Sequence, residues 1–295
     1  MKVFMIGGTG LIGSEVAKEL IYRGHDVVSV ALPPLPEGAV LPEKMEIQYG
    51  NYLEMSDEEI RKNMEGCEGF VFAAGVDERV EGPAPIYELY KKYNIDPMYR
   101  LLKIAKECGV KHVAICGSYF SYFAKTKPEL ELTKWHPYIR SRIDQEKAAM
   151  SFADDDFSVA VLELPYIFGT QPGRKPVWVF LVEQVMGMKK ATMYPKGGST
   201  MVTVKQVGQA IAGAIERNRG GKKLMKEHKK NNIEGGLHMV KFTKLQCRNL
   251  FIDKSEGCDK LGVQPDDIDV AIGDSILLSN SIIEGKTQVI GMKGE

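Results

Sequence analysis

The 295-residue chain predicts an α/β fold, a doubly wound parallel sheet followed by a small C-terminal lobe. Three observations carry this. Short, continuously apolar runs alternate with helical patterns over the first two thirds, as strands covered on both faces require. The first run ends in glycines that open a helix. After about Arg217 the alternation stops and a basic, apolar-poor stretch begins.

In order, "KVFMI" is a buried strand. "LIGSEVAKELIYRG" carries Ile12, Val16 and Leu20 at four-residue spacing, an amphipathic helix that Gly24 stops. "DVVSVAL" and "MEIQYG" are the second and third strands. "SDEEIRKNMEGC" is a helix whose Ser56 and Glu59 form a capping box. "GFVFAAG" is the fourth strand, and a helical region from about Pro85 to Cys108 is interrupted or bent near Pro97. "KHVAICGS" is the fifth strand, a helix containing Tyr138 follows, and "SVAVLELP" is the sixth. Right-handed crossovers place a ligand at the carboxyl ends of the strands. The domain containing them runs over 1–217, and 218–295 forms the lobe, with 170–200 contributing to it. One helix is expected in the lobe, around Phe242 to Phe251.

Composition bounds the function. Lysine plus arginine and aspartate plus glutamate both number 39, so no global field draws the chain to nucleic acid or anionic membrane. The basic segment from Arg217 to Lys230 has no interleaved aromatics, which favours a solvated loop over an RNA-binding patch. Five scattered cysteines without C-x-x-C pairing, and histidines without ligand spacing, predict free thiols and no metal site. "MKVFMIGG" leads directly into a strand and no apolar run is long enough to span a bilayer, so a cytoplasmic protein is expected.

The chemistry starts at "IGGTGLIG". Gly7, Gly10 and Gly13 recur every three residues between a strand and a helix, the context in which a tight turn brings bare backbone to a pyrophosphate. The helix N-terminus then offers free N–H groups and a positive dipole end. This points to a dinucleotide, against a purely structural glycine turn. At the end of the second strand, where a carboxylate would take ribose hydroxyls, the chain has Ala31 and Leu32; NADP is slightly favoured over NAD.

The ordered set "GGTGLIG", "YGNYLE", "FVFAAG", "YKKYNID", Ser118, "HPYIRSR" and "LPYIFG" over roughly residues 1–216 resembles the extended or atypical branch of the short-chain dehydrogenase/reductase superfamily, with nucleotide-sugar epimerases and dehydratases among its members. The resemblance implies a Rossmann fold with a substrate lobe, and NAD(P) as cofactor. It implies a cofactor site lined by Gly7, Thr9, Gly10, Leu11, Ile12, Gly13, Ala31, Asn51, Ala73, Ala74, Gly75, Pro165 and Ile167. Asn51 stands where the family often has aspartate, facing the adenine amine. Tyr138 would be the general acid/base for hydride transfer, Ser118 the donor that holds the reacting oxygen, and Asn94 a support from the neighbouring helix. A homodimer through the helices around 85–108 and 136–153 is also implied.

One position departs from the pattern. The family has lysine four residues after the tyrosine, and this chain has Arg142. Positions i and i+4 share a helix face. A free tyrosine has a pKa of about 10, too high for exchange near neutrality. A charge about 4 Å away is worth roughly 4 kcal/mol at an effective dielectric of about 20, before desolvation is subtracted. Arg142 keeps that charge, but its planar fork places donors differently from an ammonium. Lys147 lies too far along the helix to substitute. Tyr119 and Tyr122 are expected at the pocket mouth as packing or as alternative acids, and Trp135 and His136 at its rim or, equally, in a capping or packing role. Arg174 and Lys175 would meet a phosphate or carboxylate, or lie in a solvated loop. The expected function is an NAD(P)-dependent oxidoreductase or epimerase-like enzyme acting on a small carbonyl or hydroxyl compound, possibly sugar-derived. The alternative is a non-catalytic, redox-sensing NAD(P) binder; a scaffold role for the basic stretch ranks below both.

Overall fold

The computed structural model describes residues 1–35, 37–188, 197–217, 249–250, 261–287 and 289. Strands β1 (Lys2–Ile6), β2 (Asp26–Ala31), β3 (Met45–Tyr49), β4 (Gly69–Phe72), β5 (His112–Cys116) and β6 (Ser158–Leu162) form a parallel sheet in the order β3-β2-β1-β4-β5-β6. The order reverses between β1 and β4, which opens a crevice at their carboxyl ends.

The pleat of β1 explains the two cores. Phe4 and Ile6 face a cluster with Phe70, Phe72, Met98 and Leu102, whereas Val3 and Met5 face Val16, Leu20, Val207 and Ile211. The first cluster is covered by α2 (Asp57–Met64), α4 (Asp96–Glu107) and α7 (Pro137–Met150), the second by α1 (Leu11–Tyr22) and α9 (Val204–Arg217). The capping box is formed in both directions: Glu59 N donates to Ser56 Oγ at 3.2 Å and Ser56 N to Glu59 Oε2 at 2.7 Å. Gly24 follows α1 at φ +84, a left-handed turn suited to glycine.

The helical region before β5 departs from expectation in one detail. It comprises α3 (Tyr87–Tyr90), a π-helical turn (Lys91–Ile95) and α4, with Pro97 inside the first turn of α4 rather than at the break. Proline has no N–H to offer four residues back, so the ladder loosens one turn earlier. That turn carries Asn94.

Beyond β5 the chain forms α5 (Tyr119–Thr126), α6 (Leu132–Trp135) and α7. After β6 come β7 (Tyr166–Phe168), α8 (Val179–Met186), β8 (Gly198–Ser199) and β9 (Met201–Thr203), with β7 pairing parallel to β9. The helix expected around 242–251 falls largely outside the described residues. Its described end, Asn249–Leu250, is instead a short strand, β10, whose backbone pairs with β8. A helix not expected from sequence, α10 (Ile268–Ile283), packs on α8 and touches β7 and β9. Its N-cap Asp267 accepts from Asp269 N and Val270 N at 3.0 and 3.3 Å. Most of the basic stretch lies outside the described residues. Among them, no helix is long and apolar enough to cross a membrane.

Candidate active site

The glycine turn is built as its spacing demands. Gly7 sits at φ +89, its N–H donates to Val30 O at 3.2 Å, and its carbonyl accepts from Gly10 N at 3.0 Å. A Cβ on Gly7 would meet the Ala73 carbonyl, and one on Gly13 would collide with the Gly7 carbonyl. These two glycines thus let β1, β4 and α1 close together. Gly10, the N-cap of α1, supplies no side-chain cap, and the first turn holds no acid. The helix therefore presents its first N–H groups to whatever lies over Gly10, Leu11 and Ile12. A pyrophosphate fits this donor set.

Flanking positions divide. Ala73, Ala74 and Gly75 follow β4 beside the turn, Gly75 at φ +117. Ala31 is buried at the end of β2, and the next residue, Leu32, is the one that faces out. Asn51 turns inward on its own loop, with Oδ1 accepting from Leu53 N at 3.2 Å and Nδ2 donating to Glu54 Oε1 at 2.6 Å. Pro165 and Ile167 stand on the half-buried connection from β6 into β7.

The chemical residues converge at the carboxyl end of β5. Gly117 N donates to Leu162 O and Tyr119 N to Leu164 O, pinning Ser118 between β5 and β6. Ser118 caps α5, its Oγ accepting from Phe120 N at 3.4 Å. Tyr138, on the first turn of α7, is 5% exposed and lies edge-on to Tyr90 at 5.6 Å. Arg142, 8% exposed, places its guanidinium carbon 5.1 Å from the Tyr138 ring centroid.

Arg142 is strongly held. Nη1 donates to Gln145 Oε1 at 2.9 Å and to Cys116 O at 3.4 Å, and Nη2 to Val76 O at 3.1 Å. Asn94 is fully buried and reaches the same loop, accepting from Val76 N at 2.9 Å and donating to Val76 O at 3.0 Å. Asn94 therefore fixes the exit of β4 and, through it, Arg142. Two buried N–H groups here have no partner, Arg142 Nε and Gln145 Nε2. Such groups are costly unless a ligand satisfies them.

The expectation that the cation draws the Tyr138 pKa down is corrected. Burial raises it above the ordinary phenol value; Arg142 opposes this, and so does hydrogen bonding from Ser118 and Arg142, without prevailing. Glu78 adds to the rise. Sequence reading missed this carboxyl. It lies between Val76 and Val80, both buried in the aromatic cluster that contains Tyr90, Tyr119 and Tyr138. Burial, then Asp77, raise its own pKa, while Arg79 and Arg142 oppose. No local pattern marks it: residues 77–80 form a turn in which Val80 N donates to Asp77 O at 3.3 Å, and Glu78 meets Tyr138 only through the fold.

Tyr119 is buried, its hydroxyl 3.0 Å from Ser199 Oγ, and stacks obliquely on Tyr166; it is a wall rather than a mouth. His136, 6.2 Å from Tyr138, is pushed down to about 4 by burial. Lys147 is exposed on the outer face of α7 near Asp144. Cys67, Cys108 and Cys116 are free thiols, and no metal-ligating cluster is found among the described residues.

A second feature missed from sequence lies behind the site. Lys125 Nζ on α5 stands 2.7 Å from Glu146 Oε1 on α7 and 2.8 Å from Glu163 Oε1 at the exit of β6. The second contact is close but off the hydrogen-bonding direction. Burial raises Glu163 to about 7 against the pull of Lys125.

The sequence profile of the NAD dependent epimerase/dehydratase family matches residues 3–223. A UDP-glucose 4-epimerase of Lactobacillus helveticus is 30% identical over 178 residues, 56% of this chain and 51% of the relative. The chain thus spans about half the length of that curated relative. Among solved structures, the UDP-glucuronic acid 4-epimerase of Bacillus cereus with UDP-glucuronic acid and NAD superposes with TM-score 0.68 at 13% identity, covering 96% of this chain and all of that one. The yeast methylglyoxal/isovaleraldehyde reductase complexed with NADPH gives 0.69 at 17%, covering 97% and 100%. At these identities the structures establish the fold, and the profile match establishes more: the chain belongs to the NAD dependent epimerase/dehydratase family.

Proposed function

We propose that this protein transfers a hydride between NAD(P) and a carbon bearing a hydroxyl or carbonyl group, on a small, sugar-derived substrate. The observation that carries the reading is the convergence of Ser118, Tyr138 and Arg142, all buried, at the carboxyl end of β5, two strands along the sheet from the glycine turn that follows β1. The bound dinucleotide supplies the hydride acceptor or donor. Tyr138 moves the matching proton at the substrate oxygen, Ser118 holds that oxygen, and Arg142 stabilises the tyrosinate that forms. With its pKa raised, Tyr138 rests as the phenol, a proton donor suited to a carbonyl. Asn94 and Gln145 act at one remove by fixing Arg142. NADP is favoured over NAD because nothing acidic at Ala31 or Leu32 repels a 2′-phosphate.

The names of the relatives support sugar nucleotides as the first compounds to test, and the segment 218–295 with 170–200 is the part we assign to selecting them. A cytoplasmic homodimer through the surfaces of α4 and α7 completes the reading, and light scattering of the purified protein tests that assembly.

The experiment titrates the protein with NADH and NADPH and then follows nicotinamide absorbance with UDP-sugars and simple aldehydes. Tyr138→Phe should lower turnover by roughly 10²–10⁴-fold while leaving cofactor affinity within about two-fold. Undiminished turnover would place the acid elsewhere. One observation favours a second reading, a redox-sensing NAD(P) binder: three of the five N–H groups of Arg142 are committed to protein acceptors. Cofactor binding with no turnover across the panel would select it.

A further inference from the structure

The segment after β7 does not remain in solvent. Gln171 Nε2 donates to Thr9 O at 3.1 Å, and Arg174 Nε donates to the same carbonyl at 3.2 Å. Gln171 is buried. Arg174 is partly buried, and burial holds its pKa below the ordinary guanidinium value. Next to Gln171, Pro172 lies 4.0 Å from where a Cβ on Gly38 would stand, so the strap meets the loop that follows β2. Pro172 and Gly173 also line, with Asp274, Leu277 and Leu278 of α10, an open cavity of about 760 Å³ that does not include Arg174. Residues 171–174 therefore touch both the glycine turn and the loop after β2. The solvated-loop alternative does not hold for Arg174.

Arg174 also lacks a counter-charge. Among the described residues no carboxylate pairs with Arg174 or Arg142, whereas arginines 23, 61, 79, 100 and 140 each pair with at least one; Arg142 has three protein acceptors in its place, and Arg174 has one. Taking a guanidinium out of water without a counter-charge is unfavourable, and a protein tolerates it where a ligand brings the charge. One edge of the fork is anchored through Nε, which leaves the Nη groups for a planar, bidentate contact with phosphate oxygens. Thr9 precedes Gly10, where the uncapped N-terminus of α1 begins. The cation and the helix end thus act on the same place.

We propose that Arg174 binds the pyrophosphate of the dinucleotide, held over the glycine turn by the Thr9 carbonyl. This rests on the cofactor reading above and deepens it. Phosphate chemistry could equally come from a 2′-phosphate, but the anchor on Thr9 favours the pyrophosphate, which NADH, NADPH and ADP-ribose share.

Binding of these three ligands to wild type, Arg174→Met and Arg174→Lys, measured by calorimetry, decides it, with melting of each ligand-free protein alongside. Arg174→Met should weaken all three by about ten- to a hundred-fold, the range of a charge-assisted contact. Arg174→Lys, which keeps the cation and loses the fork, should fall between. The ligand-free Arg174→Met protein should melt no lower than wild type, because an unneutralised cation has been removed. Three results overturn the inference: affinities within two-fold of wild type, loss confined to NADPH, or a lower melting temperature with unchanged affinity, which would make Arg174 a strut for the turn. Should Arg174→Met fail to fold, Arg174→Lys binding all three ligands as wild type does would also overturn it. Wild type that binds none of the three overturns the cofactor reading itself.

Discussion

Tyr138 is a phenol placed among groups that disagree about its proton. Burial and Glu78 keep the proton on; Arg142 and Ser118 favour its departure. Glu78 faces Asp77, Arg79 and Arg142 as well as Tyr90, Tyr119, Tyr138 and Tyr166. Where Glu78 carries its charge, it raises the tyrosine pKa. Carbonyl reduction needs the phenol, and activity should decline as pH rises through that pKa. Glu78→Gln removes a negative neighbour and lowers the pKa, so the alkaline limb of kcat should move to lower pH. A limb that stays in place would show that Glu78 is screened from Tyr138. The sequence displayed Tyr138, Arg142 and Ser118 because local motifs carry them. It hid Glu78 within an acidic run and Gln145 within an ordinary helix, because their meaning depends on contacts distant in sequence.

Elements formed where the local signals agreed. The capping box of α2, the glycine that ends α1 and the buried runs of the sheet all appear at their expected places, since each needs only neighbours in the chain. α10 escaped notice because Gly273 and the serines at 275, 279 and 281 dilute its apolar pattern. Two of these serines, Ser275 and Ser279, are buried and donate to carbonyls four residues back in the helix, at 2.8 and 2.6 Å. The cluster joining α5, α7 and the end of β6 was equally hidden, since Lys125, Glu146 and Glu163 meet only through the fold. Glu163 has a folded-state pKa of about 7, against roughly 4.3 in an unfolded chain. Between those values the folded protein binds more protons than the unfolded one. Stability therefore falls as pH rises through the window and is level above it. Glu163→Gln should melt a few degrees above wild type at pH 8, and this advantage should vanish near pH 4.5. A lower melting temperature at pH 8 would mean that the contact with Lys125 outweighs the cost of burial.

At the scale of the whole molecule, the two halves of the crevice are tied by different means. The β4 exit loop is fixed by Asn94 and Arg142 on the side of Tyr138, and the 171–174 strap is fixed to Thr9 on the side of the glycine turn. Several buried groups near these ties lack partners, including Arg142 Nε, Gln145 Nε2 and Gln171 Oε1. A ligand that satisfies any of them binds only the folded chain and stabilises it by mass action, by about 2.7 kcal/mol at a hundred times its Kd. For a domain of this size that corresponds to a rise in Tm of roughly 5–10 °C. The rise should be larger with NADPH than with NADH at equal concentration, because the exposed position after β2 is Leu32 and offers no carboxylate to repel the extra phosphate. A larger shift with NADH would reverse the proposed preference. Equal shifts would mean that the end of β2 does not read the ribose, and that the protein holds either dinucleotide through the pyrophosphate alone.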